Sequence, residues 1–207
     1  MKEKLLGKNL TGLKEAASAC GLRPFVGKQL ADWLYVKRIH SWDQITNISK
    51  EAKRMLANAY DLGVVPPVGT AESSDGTRKY LFPVTCMVAG KEEESAVEAV
   101  MIPDEDRKTL CVSSQAGCRM GCKFCASTLK GKVRDLTPSE ILGQIIAARA
   151  DLGERISHVV MMGIGEPLDN YDNVVKFLSL VGDPAGINIG SRHISLSTCG
   201  ITERFDE

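Results

Sequence analysis

From about residue 108 the sequence alternates short apolar runs with helical segments, and this β, α, β, α, β order constrains the fold more than any other feature. Thr109-Leu110-Cys111-Val112-Ser113 reads as a first strand, His158-Val159-Val160-Met161-Met162 as a second, and His193 to Thr198 as a third. The second is near-continuously apolar, the pattern of a parallel strand buried on both faces. Between the first two, Thr137 at an N-cap, Pro138 at the first helical position and Glu140 closing a capping box start a helix. Ile141, Leu142, Ile145 and Ile146 give that helix its apolar face, and Gly153 ends it; a further helix covers roughly Tyr171 to Leu180. The expected fold class is α/β, the opening half of a parallel (β/α) barrel spanning residues 108–207.

Two smaller pieces precede it. Residues 1–68 read as a helical accessory domain: Thr11 caps a helix that Gly21 ends, a second starts at Pro24, a third follows Ser49, and Val65-Pro66-Pro67-Val68 punctuates the end. Residues 69–107 read as a β linker, with a turn at Asp75-Gly76, a strand around Tyr80 to Val84, a charged loop from Gly90 to Ser95 and partial alternation from Val97 to Ile102. The chain stops a few residues past the third barrel strand, leaving an open sheet edge, so a fragment or a truncated version of something longer is expected.

Charge bears on partners. The net charge is zero, but residues 1–60 hold 11 Lys and Arg against 5 Asp and Glu. A basic helical module suits nucleic acid, and it also suits a solvated helical surface. Lys130-Gly131-Lys132-Val133-Arg134 offers a second basic stretch for holding RNA phosphates. No run of about 18 apolar residues occurs and the first residues lack a signal-like apolar stretch, so the expectation is a cytoplasmic protein with no membrane association.

Seven cysteines are an odd count, and three of them, Cys118, Cys122 and Cys125, form C-x3-C-x2-C in a single loop. Three thiolates from one loop can hold three corners of an iron–sulfur cubane and leave the fourth iron open to a substrate. Phe124 beside the last cysteine is expected to shield such a cluster. The alternative is a zinc site completed by Cys111, which would make the chain a zinc-stabilised, non-enzymatic RNA-binding protein.

C-x3-C-x2-C with an aromatic before the last cysteine is similar to the signature of radical S-adenosylmethionine enzymes. The wider string from Thr109 through Gly117 to Cys125, with Asp75-Gly76-Thr77, Gly165-Glu166-Pro167-Leu168 and Ser195-Leu196-Ser197-Thr198, resembles the RlmN/Cfr-type RNA adenine methyltransferases. The resemblance implies a [4Fe-4S] cluster on Cys118, Cys122 and Cys125, and S-adenosyl-L-methionine bound to its open iron. It implies contacts of Gly165 and Glu166 with the methionine amino group, and of Ser197 with the ribose. It assigns Cys111 as the thiol that resolves a methyl-cysteine adduct by forming a disulfide, and Glu98 as a proton acceptor.

On the same basis the methyl-carrying cysteine lies beyond residue 207, and this polypeptide alone is expected not to complete methyl transfer. The implied product is adenine methylated at carbon 2 in 23S rRNA and tRNA, with Cfr-type carbon 8 chemistry as the alternative. Flavodoxin or ferredoxin is the expected electron donor, and a monomer the expected state. His40, His158 and His193 share no spacing with the cysteines and receive no role.

Overall fold

The structure is a computed structural model that describes residues 2–88 and 90–205. The N-terminal segment begins with a short strand, β1 (Glu3–Lys4), and three helices follow: α1 (Leu10–Ala19), α2 (Phe25–Ala31) and α3 (Lys50–Ala59). The cap of α1 is Asn9 rather than Thr11, because the Asn9 side chain accepts from Gly12 N at 2.9 Å while Thr11 already lies in the first turn. A π-helical turn, Asp32–Val36, extends α2. Ser49 caps α3 as expected, accepting from Ala52 N. Strand β2 (Tyr60–Asp61) then returns to pair with β1.

Next come β3 (Gly69–Glu72), β4 (Arg78–Val88) and β5 (Lys91–Asp104), all antiparallel. They do not form a separate linker. Through β5 they join β6 (Arg107–Cys111), and one six-stranded sheet results, in the order β10-β9-β6-β5-β4-β3, where β9 is His158–Met161 and β10 is Ile194–Leu196. Residues 91–95, expected as a loop, are strand. They pair only with residues 84–88, beyond the reach of the other strands, and Lys91 to Glu94 are exposed, so solvent tolerates their charges.

Strands β6, β9 and β10 are parallel. Between them run β7 (Gln115–Gly117) and β8 (Lys132–Asp135), which pair with each other, then α4 (Pro138–Leu152) and α5 (Tyr171–Val181). The capping box at Thr137 and Glu140 is present, and Gly153 closes α4 in the left-handed conformation. The apolar run 158–161 is not buried on both faces. Val159 and Met161 are buried while His158 and Val160 are half-exposed, because the helices cover one face and the other stands open. The same alternation puts Val97, Ala99 and Leu110 in the core and Glu98, Val100 and Cys111 on the open face.

The core is continuous across the whole chain. Leu13, Leu30, Leu34 and Leu56 of the helical segment belong to the same buried cluster as Leu110, Ile141, Val159 and Phe177. A polar bond crosses the seam, Ser139 Oγ donating to Gly63 O at 3.0 Å, while inside the helical segment Tyr35 Oη accepts from Gly7 N at 3.0 Å and donates to Lys8 O at 2.6 Å.

Candidate cysteine-lined site

Three loops follow the carboxyl ends of the parallel strands: 118–131 beyond β6, 162–166 beyond β9 and 197–200 beyond β10. This is the ligand-binding edge of a parallel sheet. They enclose a cavity of about 260 Å³ lined by Cys118, Cys122 and Cys125, by Gly163, Gly165 and Glu166, and by Ser197, Thr198 and Cys199.

The middle loop is held by close backbone approach. Gly163 N donates to Val112 O at 3.2 Å, and a Cβ at Gly163 would lie 2.7 Å from that oxygen. Gly165 adopts a φ of +107°, and a Cβ there would lie 2.7 Å from Gln115 N, so only glycine fits. Both Ser114 N and Gln115 N donate to Ile164 O, and Ile164 N donates to Ser113 Oγ at 2.9 Å. The segment 113–115 is in turn clamped by buried Gln144, which accepts from Ser113 N and donates to Ser113 O, and by buried Asn170, which donates to Ser114 O.

Glu166 is buried and already committed. Oε1 accepts from Leu168 N at 2.9 Å and Oε2 from Cys199 N at 2.8 Å. Burial alone would raise its carboxyl, but donors from Cys199, Thr198 and Leu168 outweigh that and hold it below the ordinary range. The Cys199 thiol moves the other way: burial, the Glu166 carboxylate and the nearby Cys122 push it up to about 11. Ser197 is exposed at the rim, its amide donating to Met161 O.

The cysteine loop is anchored by Asp169, which sequence reasoning missed. This carboxylate accepts from Gln115 Nε2 at 2.8 Å, from Lys132 Nζ at 2.9 Å and from Arg119. Burial raises it, yet the Lys132, Gln115 and Arg119 donors prevail and bring it to about 2. Nothing in the spacing signals this hub, since its partners lie 37 to 54 residues away.

Two expectations about this loop change. Phe124 is 95% exposed, so it stands at the cavity rim in solvent instead of covering the thiols. Lys132 and Arg134 are not free to hold phosphates, because Lys132 pairs with Asp135 and Asp169 and Arg134 makes a two-pronged pair with Glu140. Lys130 remains exposed.

Cys111 and Glu98 lie apart from the cavity, on the open face of the sheet. Val100 pairs opposite Cys111, and Glu98 is two residues along from Val100 on the same side. Glu98 forms an ion pair with Lys79 at 3.1 Å. Burial raises the Cys111 thiol, partly offset by a hydrogen bond with the Met162 backbone. His158 and His193 touch each other, ring nitrogens 3.0 Å apart, at the amino ends of β9 and β10, the edge opposite the cysteines.

Among the described residues, no three His, Cys, Asp or Glu side chains close around a point tightly enough for a single ion. Cys111, the candidate fourth zinc ligand, does not reach the cysteine cavity. Three thiols spaced around one open cavity instead suit a multi-iron cluster, whose cysteines sit on different irons. All seven cysteines are free thiols.

Comparison with known proteins agrees with this geometry. Residues 112–207 match the radical SAM superfamily, and residues 3–61 match the ribosomal RNA large subunit methyltransferase N-terminal domain. A Clostridium perfringens protein (strain SM101) described as a probable dual-specificity RNA methyltransferase RlmN is 45% identical over 204 residues, which is 98% of this chain and 57% of that protein. One of the same description from Clostridium botulinum (strain Okra) is 45% identical over 206 residues, 99% of this chain and 58% of that protein. The crystal structure of a radical SAM methyltransferase from Sphaerobacter thermophilus superposes with a TM-score of 0.85 at 34% identity, covering 95% of this chain and 57% of that one. The chain thus spans somewhat over half the length of the relatives it matches.

Proposed function

Since this chain belongs to the RlmN-type radical S-adenosylmethionine RNA methyltransferase family, we propose that the protein methylates adenine at carbon 2 in 23S ribosomal RNA and in transfer RNA. The observation that carries the reading is the gathering of Cys118, Cys122, Cys125, Gly165, Glu166 and Ser197 around one cavity at the carboxyl ends of the parallel strands. The description matched by residues 3–61 supports a ribosomal substrate, and the dual specificity in the relatives' description supports a second RNA.

In this reading Cys118, Cys122 and Cys125 hold a [4Fe-4S] cluster. With S-adenosyl-L-methionine bound, that group would supply the electron for reductive cleavage of the sulfonium bond. A small carrier of the flavodoxin or ferredoxin class delivers the electron, in the cytoplasm, to a monomeric enzyme. Glu166, kept ionised by its donors, offers a carboxylate to the methionine ammonium, and the glycine turn lets backbone approach it. Ser197 at the rim faces the ribose. Cys111 resolves the protein–RNA adduct, and Glu98 takes the proton leaving adenine; both stand on the open sheet face, apart from the cavity. The raised Cys111 thiol needs a neighbouring base or a late deprotonation to attack sulfur.

The test has two parts. Anaerobic protein reconstituted with iron and sulfide is expected to bind about four irons per chain and, once reduced, to convert S-adenosyl-L-methionine to 5′-deoxyadenosine. Loaded protein that forms no 5′-deoxyadenosine overturns the radical chemistry. Mass spectrometry of nucleosides from cells with and without the gene reads the product. Loss of 2-methyladenosine from 23S rRNA and tRNA on deletion is the expected result, and loss of 8-methyladenosine instead replaces carbon 2 with carbon 8.

A further inference from the structure

Three arginines gather at the amino edge of the parallel strands, away from the cysteines. Arg38 follows the π-helical turn, Arg149 sits in the last turn of α4, and Arg155 lies just ahead of β9. The loop between α5 and β10 ties these pieces together. A Cβ at Gly186 would lie 3.2 Å from the Tyr35 Cβ, and Arg155 Nη2 donates to Asn188 O at 2.7 Å. No counter-charge answers the cluster. Among the described residues none of the three forms an ion pair with a carboxylate. The acids on the same elements are taken elsewhere: Asp32 by Lys37, Asp151 by Arg78 and Tyr80, Glu154 by Lys108, while Asp183 Oδ1 accepts from Ala185 N. Arg38 Nε is closed off from solvent and has no hydrogen-bond partner. The backbone is strained here too, since Arg38 and Asn188, each at a φ of +58°, are the two non-glycine residues at positive φ among those described. The guanidiniums also repel: burial and then the Arg149 and Arg155 charges bring Arg38 down to about 10, and burial with the Arg155 charge lowers Arg149. The negative end of a helix attracts a cation, which accounts for Arg149 alone.

We infer that Arg38, Arg149 and Arg155 form a phosphate-binding site, separate from the cysteine cavity. Like charges drawn together without acids destabilise the free protein and turn favourable once an anion lies among them. A guanidinium presents its donors as a planar fork that matches phosphate oxygens, and Arg38 Nε, unused and shielded from water, is a donor of that kind. Three forks arriving from three elements can surround a tetrahedral anion, whereas a carboxylate has too few oxygens to answer them all. On the function proposed above, the phosphate belongs to the RNA backbone. Such contacts position a substrate without reading its sequence, and an RNA that wraps the molecule touches this edge while its adenine enters the opposite one. That source rests on the proposed function; the site itself does not.

The experiment compares the wild-type chain with Arg38→Gly, which suits the left-handed backbone, and with Arg149→Gln. Thermal melting is followed with and without inorganic pyrophosphate. Pyrophosphate is expected to raise the wild-type melting temperature by about 2 to 5 °C and to leave both variants unshifted. Without it, both variants are expected to melt as high as wild type or higher, because repulsion is relieved. A wild type that does not respond overturns the inference. So do variants that keep the full shift, and a fall in both variants with the shift retained means the arginines only hold the fold. Unmodified transfer RNA then names the source. Affinity about tenfold weaker in both variants, with a salt dependence flattened by about one ion, identifies an RNA phosphate as the ligand. Unchanged RNA affinity beside a lost pyrophosphate shift identifies a free phosphate compound. None of these readouts uses the cluster or methyl transfer, so failure of the proposed activity is told apart by the absence of 5′-deoxyadenosine from loaded wild type.

Discussion

Asp169 shows how much of this site is decided by a residue with no motif. Its side chain is only 5% exposed and answers two cations, one from the cysteine loop and one from β8, as well as the Gln115 amide. Asp169→Asn leaves Arg119 without its counter-charge and Lys132 with Asp135 alone, and is expected to cost about 2 to 3 kcal/mol in urea unfolding. The same carboxylate sets an acid limit. Its folded value of about 2 lies below its ordinary 3.8, so its stabilisation is complete above the ordinary value and is lost as pH falls toward 2; Glu140, lowered from 4.5 to about 2, adds to the loss in the same direction. Stability followed by circular dichroism is expected to drop between about pH 5 and pH 2, and in Asp169→Asn the drop is expected to be shallower. The cysteines were legible in the sequence because thiols at C-x3-C-x2-C spacing share one loop. Asp169 and Gln115 were not, because they meet only once the chain has crossed from β6 to β9, and Cys199 joins them only after the further crossover to β10; no local periodicity encodes that meeting. Phe124 misled for a related reason: an aromatic beside a cysteine says nothing about what, if anything, packs over it.

Among the elements, α4 was the most readable, since its start and stop are written in residue types whose roles are local. Thr137→Ala removes the acceptor for Glu140 N and is expected to cost about 1 kcal/mol, visible as a fall in melting temperature of about 2 to 4 °C. The turn after β9 is the element where chemistry and backbone meet. Gly165→Ala forces a Cβ to within 2.7 Å of Gln115 N in a backbone conformation that alanine avoids. The expected result is a stability loss of about 1 to 3 kcal/mol and weaker cofactor binding measured by calorimetry. Strand β5 was read only in part. Its inner half alternates because one face is buried, whereas residues 91–95 form the free end of a ribbon, where charge carries no signal of strand or loop. Alternation also explains the miscue at 158–161: valines and methionines suit a strand equally whether one face or both are covered.

At the scale of the whole molecule, the helical segment and the sheet share one core, so they are expected to unfold together. Both tryptophans, Trp33 and Trp42, lie in the helical segment, whereas strand content lies mostly in the sheet. Urea transitions followed by tryptophan fluorescence and by far-ultraviolet circular dichroism are expected to coincide; separated midpoints would show two independent units. The β, α, β, α, β order announced the parallel part of the sheet, but not that three antiparallel strands extend it, because pairing between β5 and β6 depends on hairpin geometry beyond any periodic pattern. The parallel ladders themselves are brief, four residues in β9 and three in β10. Rigidity above them comes from the buried Gln115, whose amide donates to Asp135 and Asp169 while its oxygen accepts from Glu166 N. One carboxamide is thus the rivet through three separate leaves of the protein, and when any leaf flexes the other two must swing with it.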